Sequence, residues 1–167
     1  NRQQKVVVNG SSSWSTLTRG VPQGSVLGPL LFCIFINDLP INLNQEMISC
    51  DLFADDATIH SRDKSINVVE KHLQNGLNDI TTWCDQNEMV LNPTKTESIV
   101  IANQQKHQKK PLTPNLSIQG QPVVQVHKHK LLGVTIDSKM KWQDHLDKVC
   151  KNVSVISVLA GANKFPS

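Results

Sequence analysis

The sequence has no strong excess of either charge. Lys and Arg number 17 against 14 Asp and Glu, a formal net charge of +3 over 167 residues. No global basic field therefore marks a nucleic-acid binder, and any such contact has to come from local placement of Lys and Arg. Long apolar runs are missing too. The longest, Leu30 to Ile36, is far too short to span a bilayer, and no basic-then-apolar signal opens the chain, so no membrane partner is expected. Cysteine is sparse: Cys33, Cys50, Cys84 and Cys150 are widely separated and none forms a Cys-x-x-Cys pair, which excludes the usual zinc spacing. Three of the four lie among apolar residues at helix or strand spacing, which predicts buried thiols in a reducing compartment. Internal repeats are absent. The first residue is Asn1, not methionine, directly before residues of strand character, and this predicts a fragment whose beginning is missing.

What remains is ordinary in bulk. Hydrophobic residues make up 38% and charged residues 19%, a composition expected of a soluble globular chain with one domain, or one domain and the start of another. The β-branched run Lys5 to Val8, the turn pair Asn9-Gly10 and Trp14 to Thr18 predict a hairpin. Gly28-Pro29 then opens a helix, since proline suits the first helical position. The stretch from Leu30 to Ile36 is apolar on all sides, so this helix is expected to be buried, with Pro40 as its stop. Met47 to His60 reads as a second hairpin, with Ile48, Cys50 and Leu52 on one face and Asp55-Asp56 at the bend. Ile66, Val69, Leu73, Leu77, Ile80 and Cys84 recur at three- and four-residue intervals with Trp83 beside them, the clearest helix of the chain. Asp63 or Ser65 is its expected cap. Met89 to Leu91 and Ser98 to Ala102 look like strands around the Asn92-Pro93 turn, and residues 103–114 like an exposed loop. Leu116 to Ile118, Val123 to His127 and Leu131 to Ile136 read as three more strands. A last helix starts near Trp142, with Leu146, Val149, Val153 and Ile156 on one face. Short strands mixed with long helices, without a βαβ rhythm, predict an α+β fold.

Three segments carry chemistry. Phe53-Ala54-Asp55-Asp56 sets two carboxylates side by side within an apolar run, and their mutual repulsion calls for a positive neighbour, most simply a divalent metal. Magnesium takes hard oxygen ligands, one or two carboxylates with phosphate oxygens and water. Taken alone, an aspartate pair is more often an ordinary surface turn; the apolar flanks and the other two segments reverse that in favour of the metal site. Gly20 to Pro29 holds three glycines and two prolines, which allow close backbone approach to a ligand without floppiness, and Gln23 offers an amide at its most exposed point. Gly24-x-x-x-Gly28 fits neither the Walker nor the dinucleotide pattern. Lys95, after the Asn92-Pro93 turn, could neutralise a triphosphate or protonate a leaving pyrophosphate, but on its own reads more plainly as a solvated loop lysine, with Glu97 as a simple ion partner. His127 and His129 alternate on a strand without a third ligand, so a structural pair is the plainer reading. Lys106, Lys109 and Lys110 suit a phosphate backbone or a solvated tip equally well. Trp83 and Trp142 are expected in the core.

Taken together, Gly20 to Pro29, Ile36 to Pro40, Phe53 to Asp56, Leu91 to Glu97, Leu131 to Asp137 and the Trp142 to His145 segment resemble the reverse transcriptase of a non-LTR retrotransposon, of the jockey-like group. The resemblance covers nearly the whole chain, in motif order and spacing. It implies a partial palm domain over residues 1–137, an antiparallel sheet packed on helices, and the start of a helical thumb over 138–167. It implies that Asp55 is a metal ligand with Asp56 as auxiliary carboxylate in a two-Mg²⁺ site, and that Lys95 is the proton donor. By the same likeness Gln23, Gly24 and Phe53 lie near incoming dNTP and template, and Leu132 and Gly133 grip the primer. RNA template and DNA primer are the implied partners, and an intracellular location, nuclear or cytoplasmic, follows from the family. Two departures stand out. Phe53 replaces a tyrosine common in the family. The family's first catalytic aspartate belongs upstream of Gln23, yet no Asp occurs before Asp38, and most of the fingers is absent. The expectation is a polymerase fragment that cannot polymerise alone. A non-catalytic remnant that binds nucleic acid or protein is the alternative, and an unrelated metal phosphohydrolase lacks a convincing ligand set.

Overall fold

The computed structural model describes residues 2–17, 20, 24–43, 46–102 and 112–151. Gln23, Lys106, Lys109, Lys110 and the segment 152–167 lie outside the described residues, as do most of the loop expected at 103–114 and Val153 and Ile156 of the last helix.

The first hairpin forms, but its ladder lies outside the valine run. Strand β1 (Arg2–Gln4) pairs antiparallel with β2 (Ser15–Leu17), and only a Val7–Ser11 bridge closes the tip. Val6, Val7 and Val8 are exposed. The backbone of this segment is held by Ser12, which exchanges bonds with Val6 through its amide and hydroxyl. Helix α1 (Gly28–Ile36) starts at Gly28 with Pro29 in its first turn. It stops before the 3-10 turn Leu39–Asn42 that contains Pro40. The expected burial of α1 does not hold. Gly28 and Ile36 are buried, whereas Leu30, Leu31, Ile34 and Phe35 stay exposed. A helix apolar on all sides needs neighbours on all sides, and the described residues cover one face.

Strands β3 (Ser49–Phe53) and β4 (Asp56–His60) make the second hairpin in the expected place. Helix α2 (Ile66–Gln86) follows. Its N-cap position is Ser65, but neither expected side chain caps it: the Asp63 carboxylate accepts from Ser65 N at 2.7 Å instead. The apolar stripe of α2 organises two adjoining cores. Ile80, Trp83 and Cys84 pack with Ile36, Leu39, Leu43 and Ile48; Leu77 packs with Leu116 and Ile118. Ile59 and Leu91 touch both. Trp83 is 3% exposed, stacks at a tilt 5.6 Å from the Phe35 ring, and donates its indole N–H to Asp38 at 3.1 Å. Gly76 faces the second hairpin so closely that a Cβ there would lie 2.6 Å from the end of Ile48.

Beyond α2 the strands are short. Met89–Leu91 is not a strand, because Met89 N donates back to Cys84 O and closes the helix end. A 3-10 turn, Pro93–Lys95, leads into β5 (Glu97–Ile99), shorter than expected. Then come β6 (Ser117–Ile118), β7 (Gln121–Pro122) and β8 (Val124–Val126). The edge of β6 is covered by α2: the Gln74 amide bonds both Ser117 N and Ser117 O at 2.9 Å, and Glu70 accepts from Asn115 N. The stretch expected as one strand, Leu131 to Ile136, is instead a hairpin of β9 (Lys128–Leu131) and β10 (Val134–Asp137). Its turn, Leu132-Gly133, takes positive φ at both residues, which the apolar pattern conceals. A helix over 143–151, α3, ends the described chain.

Mixed helices and small sheets bear out an α+β class. The single antiparallel sheet does not appear among the described residues: the strands form separate pairs, and β5 runs parallel to β8. Two burial expectations also fail. Only Cys84 is a buried thiol; Cys50 is intermediate, Cys33 and Cys150 are exposed, and all are free. Trp142 is 40% exposed, since its residue adopts a positive φ ahead of α3 rather than lying on the helix face. Among the described residues no helix is long and apolar enough to cross a membrane.

Candidate active site

The acidic hairpin is rigid at its base and open at its tip. Cys50, Leu52 and Ile59 pack on the core and Ile48 is buried, while Phe53, Asp55 and Asp56 are exposed. Phe53 pairs with Asp56, leaving Ala54-Asp55 as a two-residue turn. Such turns need a positive φ at their first central position, where glycine is usual; here it is Ala54, with φ 51°. A non-glycine residue in that region stores strain, a feature concentrated at functional sites. Neither carboxylate makes a hydrogen bond or ion pair with the described residues. Both are thus free to take a cation, and two hard oxygen donors fit a share of the shell magnesium takes. Among the described residues no group of three or more His, Cys, Asp or Glu could hold a metal.

In the glycine-rich loop Gly24 is exposed, with φ 82° and no atom within 4 Å of a built Cβ. Gly20 is the same, at φ 76°, so both leave backbone open to a ligand. Gln23 between them lies outside the described residues. Lys95 ends its 3-10 turn exposed, and its ammonium has no partner among the described residues. Asn92 builds that turn by accepting from Thr94 N at 3.1 Å. The expected Lys95–Glu97 pair does not form: Glu97 takes His129 Nδ1 at 2.8 Å, tying β5 to β9. That contact also accounts for His129 without a metal.

At the β9–β10 turn, Leu132 has φ 47° and is 55% exposed. A large apolar side chain that is both strained and solvent-facing has no local stabilising role and suits an external contact. No hydrogen bond or ion pair among the described residues joins the acidic tip to Gly24, to Lys95 or to the Leu132-Gly133 turn. Their connection runs through the core: Ile59 on the acidic hairpin and Leu91, just before the Lys95 turn, pack on the same side of α2.

A cluster at the β10–α3 junction is not among the segments that the sequence singles out. Asp137 accepts from Lys139 N at 2.8 Å through one oxygen, and from Lys141 N at 2.9 Å and Trp142 N at 3.1 Å through the other. Desolvation pushes this carboxyl up, but the three N–H groups and the Lys128 charge outweigh it and hold it below its ordinary value. Lys128 Nζ meets Asp144 at 2.7 Å, and that hydrogen bond, opposed by desolvation and aided by the charges of Asp144 and Asp137, raises the ammonium. An aspartate followed two, four and five residues later by the amides it binds leaves no periodic apolar signal, so only turn chemistry could have flagged it.

Residues 3–136 match the family described as Reverse transcriptase (RNA-dependent DNA polymerase). The chain is 29% identical over 150 residues to the RNA-directed DNA polymerase from mobile element jockey of Drosophila melanogaster, covering 86% of this chain and 16% of that protein. It is 31% identical over 152 residues to the probable RNA-directed DNA polymerase from transposon BS of the same species, covering 87% of this chain and 16% of that protein. Against a retrovirus-related Pol polyprotein from a type-1 retrotransposable element R1 of Nasonia vitripennis it is 25% identical, covering 80% of this chain and 34% of that one. The chain thus spans about a sixth of the length of the first two relatives. No solved structure is a significant match.

Proposed function

Because the chain belongs to the reverse transcriptase family, we propose that it is part of the palm of an RNA-directed DNA polymerase, residues 1–137, followed by the start of the thumb, 138–167. The parent adds dNTPs to a primer 3′-hydroxyl on an RNA template. The observation that carries this reading is the acidic tip: two exposed carboxylates, without partners among the described residues, on a strained turn whose base is locked in the core. Asp55 and Asp56 would hold magnesium, which when bound ionises the attacking hydroxyl and neutralises developing phosphate charge.

The chain's own residues do the rest. Phe53 flanks the carboxylates with an aromatic face. Gln23 and the open backbone at Gly24 meet nucleotide and template. Lys95, exposed and unengaged, gives a proton to the departing pyrophosphate. Leu132 and Gly133 press on the primer. Residues 1–167 supply one half of the metal clamp. No Asp precedes Asp38, and Asp38 is occupied by the Trp83 indole, so a further carboxylate has to complete the site and this chain alone does not polymerise.

Two measurements test the reading. Mn²⁺ added to labelled protein should broaden the amide signals of residues 54–56, and Asp55→Asn with Asp56→Asn should abolish the effect; equal broadening in that variant removes the metal site. In a primer-extension assay with Mg²⁺ on RNA template, no product is expected. Incorporation that Asp55→Ala abolishes would overturn the claim of inactivity while upholding the polymerase.

A further inference from the structure

The β10–α3 junction departs from a plain connector in three ways. It holds two non-glycine residues in the left-handed region, Met140 at φ 53° and Trp142 at φ 62°. One carboxylate, Asp137, takes the backbone N–H groups of Lys139, Lys141 and Trp142, and its own carbonyl takes Met140 N at 2.9 Å. The start of α3 is also bound back to the hairpin twice, by Lys128–Asp144 at 2.7 Å and by Thr135 N with His145 Nδ1 at 3.4 Å. Ser138, buried, donates its N–H to His127 O at 2.9 Å and seals the strand end. Hairpin and helix start therefore form one clasped unit, with Leu132-Gly133 at one end.

Charge is distributed unevenly on this unit. Lys128 is spent on Asp144 and faces Asp137 across the ladder, and the Asp137 oxygens are filled by backbone donors. Lys130, Lys139 and Lys141 are exposed, and their ammonium groups have no partner among the described residues. The carboxylate that holds the strained loop thereby sets the backbone of two of these three lysines.

We infer that Asp137 is a positioning residue for nucleic-acid binding: it holds Lys139 and Lys141 where they meet the phosphate backbone of the duplex that the Leu132-Gly133 turn grips. This rests on the polymerase reading above and adds to it the phosphate contacts and the group that presents them.

The sign of one effect separates this from simple electrostatics. Asp137→Ala removes a negative charge beside a polyanion's binding surface, so a purely coulombic role predicts tighter binding. Positioning predicts weaker binding. The probe is a labelled DNA primer annealed to an RNA template, titrated with the full chain at several salt concentrations. Asp137→Ala is expected to weaken binding by about tenfold at low salt. Asp137→Asn, which keeps one acceptor oxygen, should fall between it and wild type. Lys139→Gln with Lys141→Gln should lower the slope of log K against log salt by about 1 to 2. Amide exchange at 139, 141 and 142 should quicken in Asp137→Ala, with α2 unchanged as the folding control. If Asp137→Ala fails that control, Asp137→Asn and the lysine pair carry the test. Hybrid binding that the Asp137 variants leave equal or tighter, or a salt slope unmoved by the lysine changes, overturns this inference alone. Absence of binding by the wild-type chain overturns this inference as well, and the polymerase reading is then decided by the Mn²⁺ measurement at residues 54–56.

Discussion

Ala54 illustrates how a single residue couples strain to site geometry. Its left-handed φ closes a two-residue turn that sets Asp55 at the tip and Asp56 at the first position of β4, where a longer loop would leave the carboxylates mobile. Holding alanine there costs on the order of 1–3 kcal/mol, which the packing of Cys50, Leu52 and Ile59 beneath it offsets. Ala54→Gly removes the steric cost but widens the unfolded ensemble. The net expectation is a gain of about 1 kcal/mol, read as a higher urea midpoint at unchanged m-value. A lower midpoint would mean that the turn is unstrained and the shape of the tip owes nothing to Ala54. The pair itself was legible from sequence, since adjacent aspartates in an apolar run are conspicuous. The strain was not, because alanine carries no left-handed signal.

Among the elements, α2 sets where the acidic hairpin stands. Gly76 ordinarily weakens a helix by about 1 kcal/mol relative to alanine, yet here it lets the helix approach buried Ile48. Gly76→Ala is expected to destabilise by about 1–2 kcal/mol despite its better propensity, because the new Cβ meets a packed side chain. Ile48→Val removes the terminal methyl that would clash, so the double variant should recover most of the loss; a double variant as unstable as the sum of its singles refutes the contact. The β10–α3 junction makes a different prediction. The Asp137 carboxyl lies below its ordinary 3.8, so its contribution is present above pH 3.8 and fades as pH falls through the folded value. The Lys128 ammonium lies above 10.5, so its contribution is present below pH 10.5 and fades as pH rises past the folded value. The difference in unfolding midpoint between wild type and Asp137→Asn should therefore shrink as acid titrates the carboxyl, and a constant difference would deny the group any linkage. Helix α2 was readable from its periodicity and the acidic hairpin from its alternation; of the first hairpin only the turn and the second strand were, since β1 is Arg2–Gln4 and not the valine run. The β9–β10 hairpin was not: Leu132-Gly133 imitates an uninterrupted apolar strand, and only the backbone reveals the turn.

At the scale of the whole molecule, the core of the described residues is organised by one helix. Both apolar clusters gather along α2, whereas α1, the most apolar helix of the sequence, leaves Leu30 and Ile34 58% and 66% exposed. This is where the sequence misled most about the fold. An all-apolar helix predicts burial, but burial depends on what is present to cover it, and composition does not encode that. The two faces of α1 should consequently answer to substitution in opposite ways. Ile36→Ala opens a cavity in the first cluster and should cost about 2–5 kcal/mol. Leu30→Gln with Ile34→Gln removes solvent-exposed apolar surface, which drives self-association more than it stabilises the fold. That variant should unfold within about 0.5 kcal/mol of wild type, bind less hydrophobic dye, and remain monomeric at higher concentration in sedimentation. A large loss of stability in the double glutamine variant would show that the outer face of α1 is already packed within this chain. Reduced self-association without destabilisation would instead mark it as surface whose partner lies elsewhere.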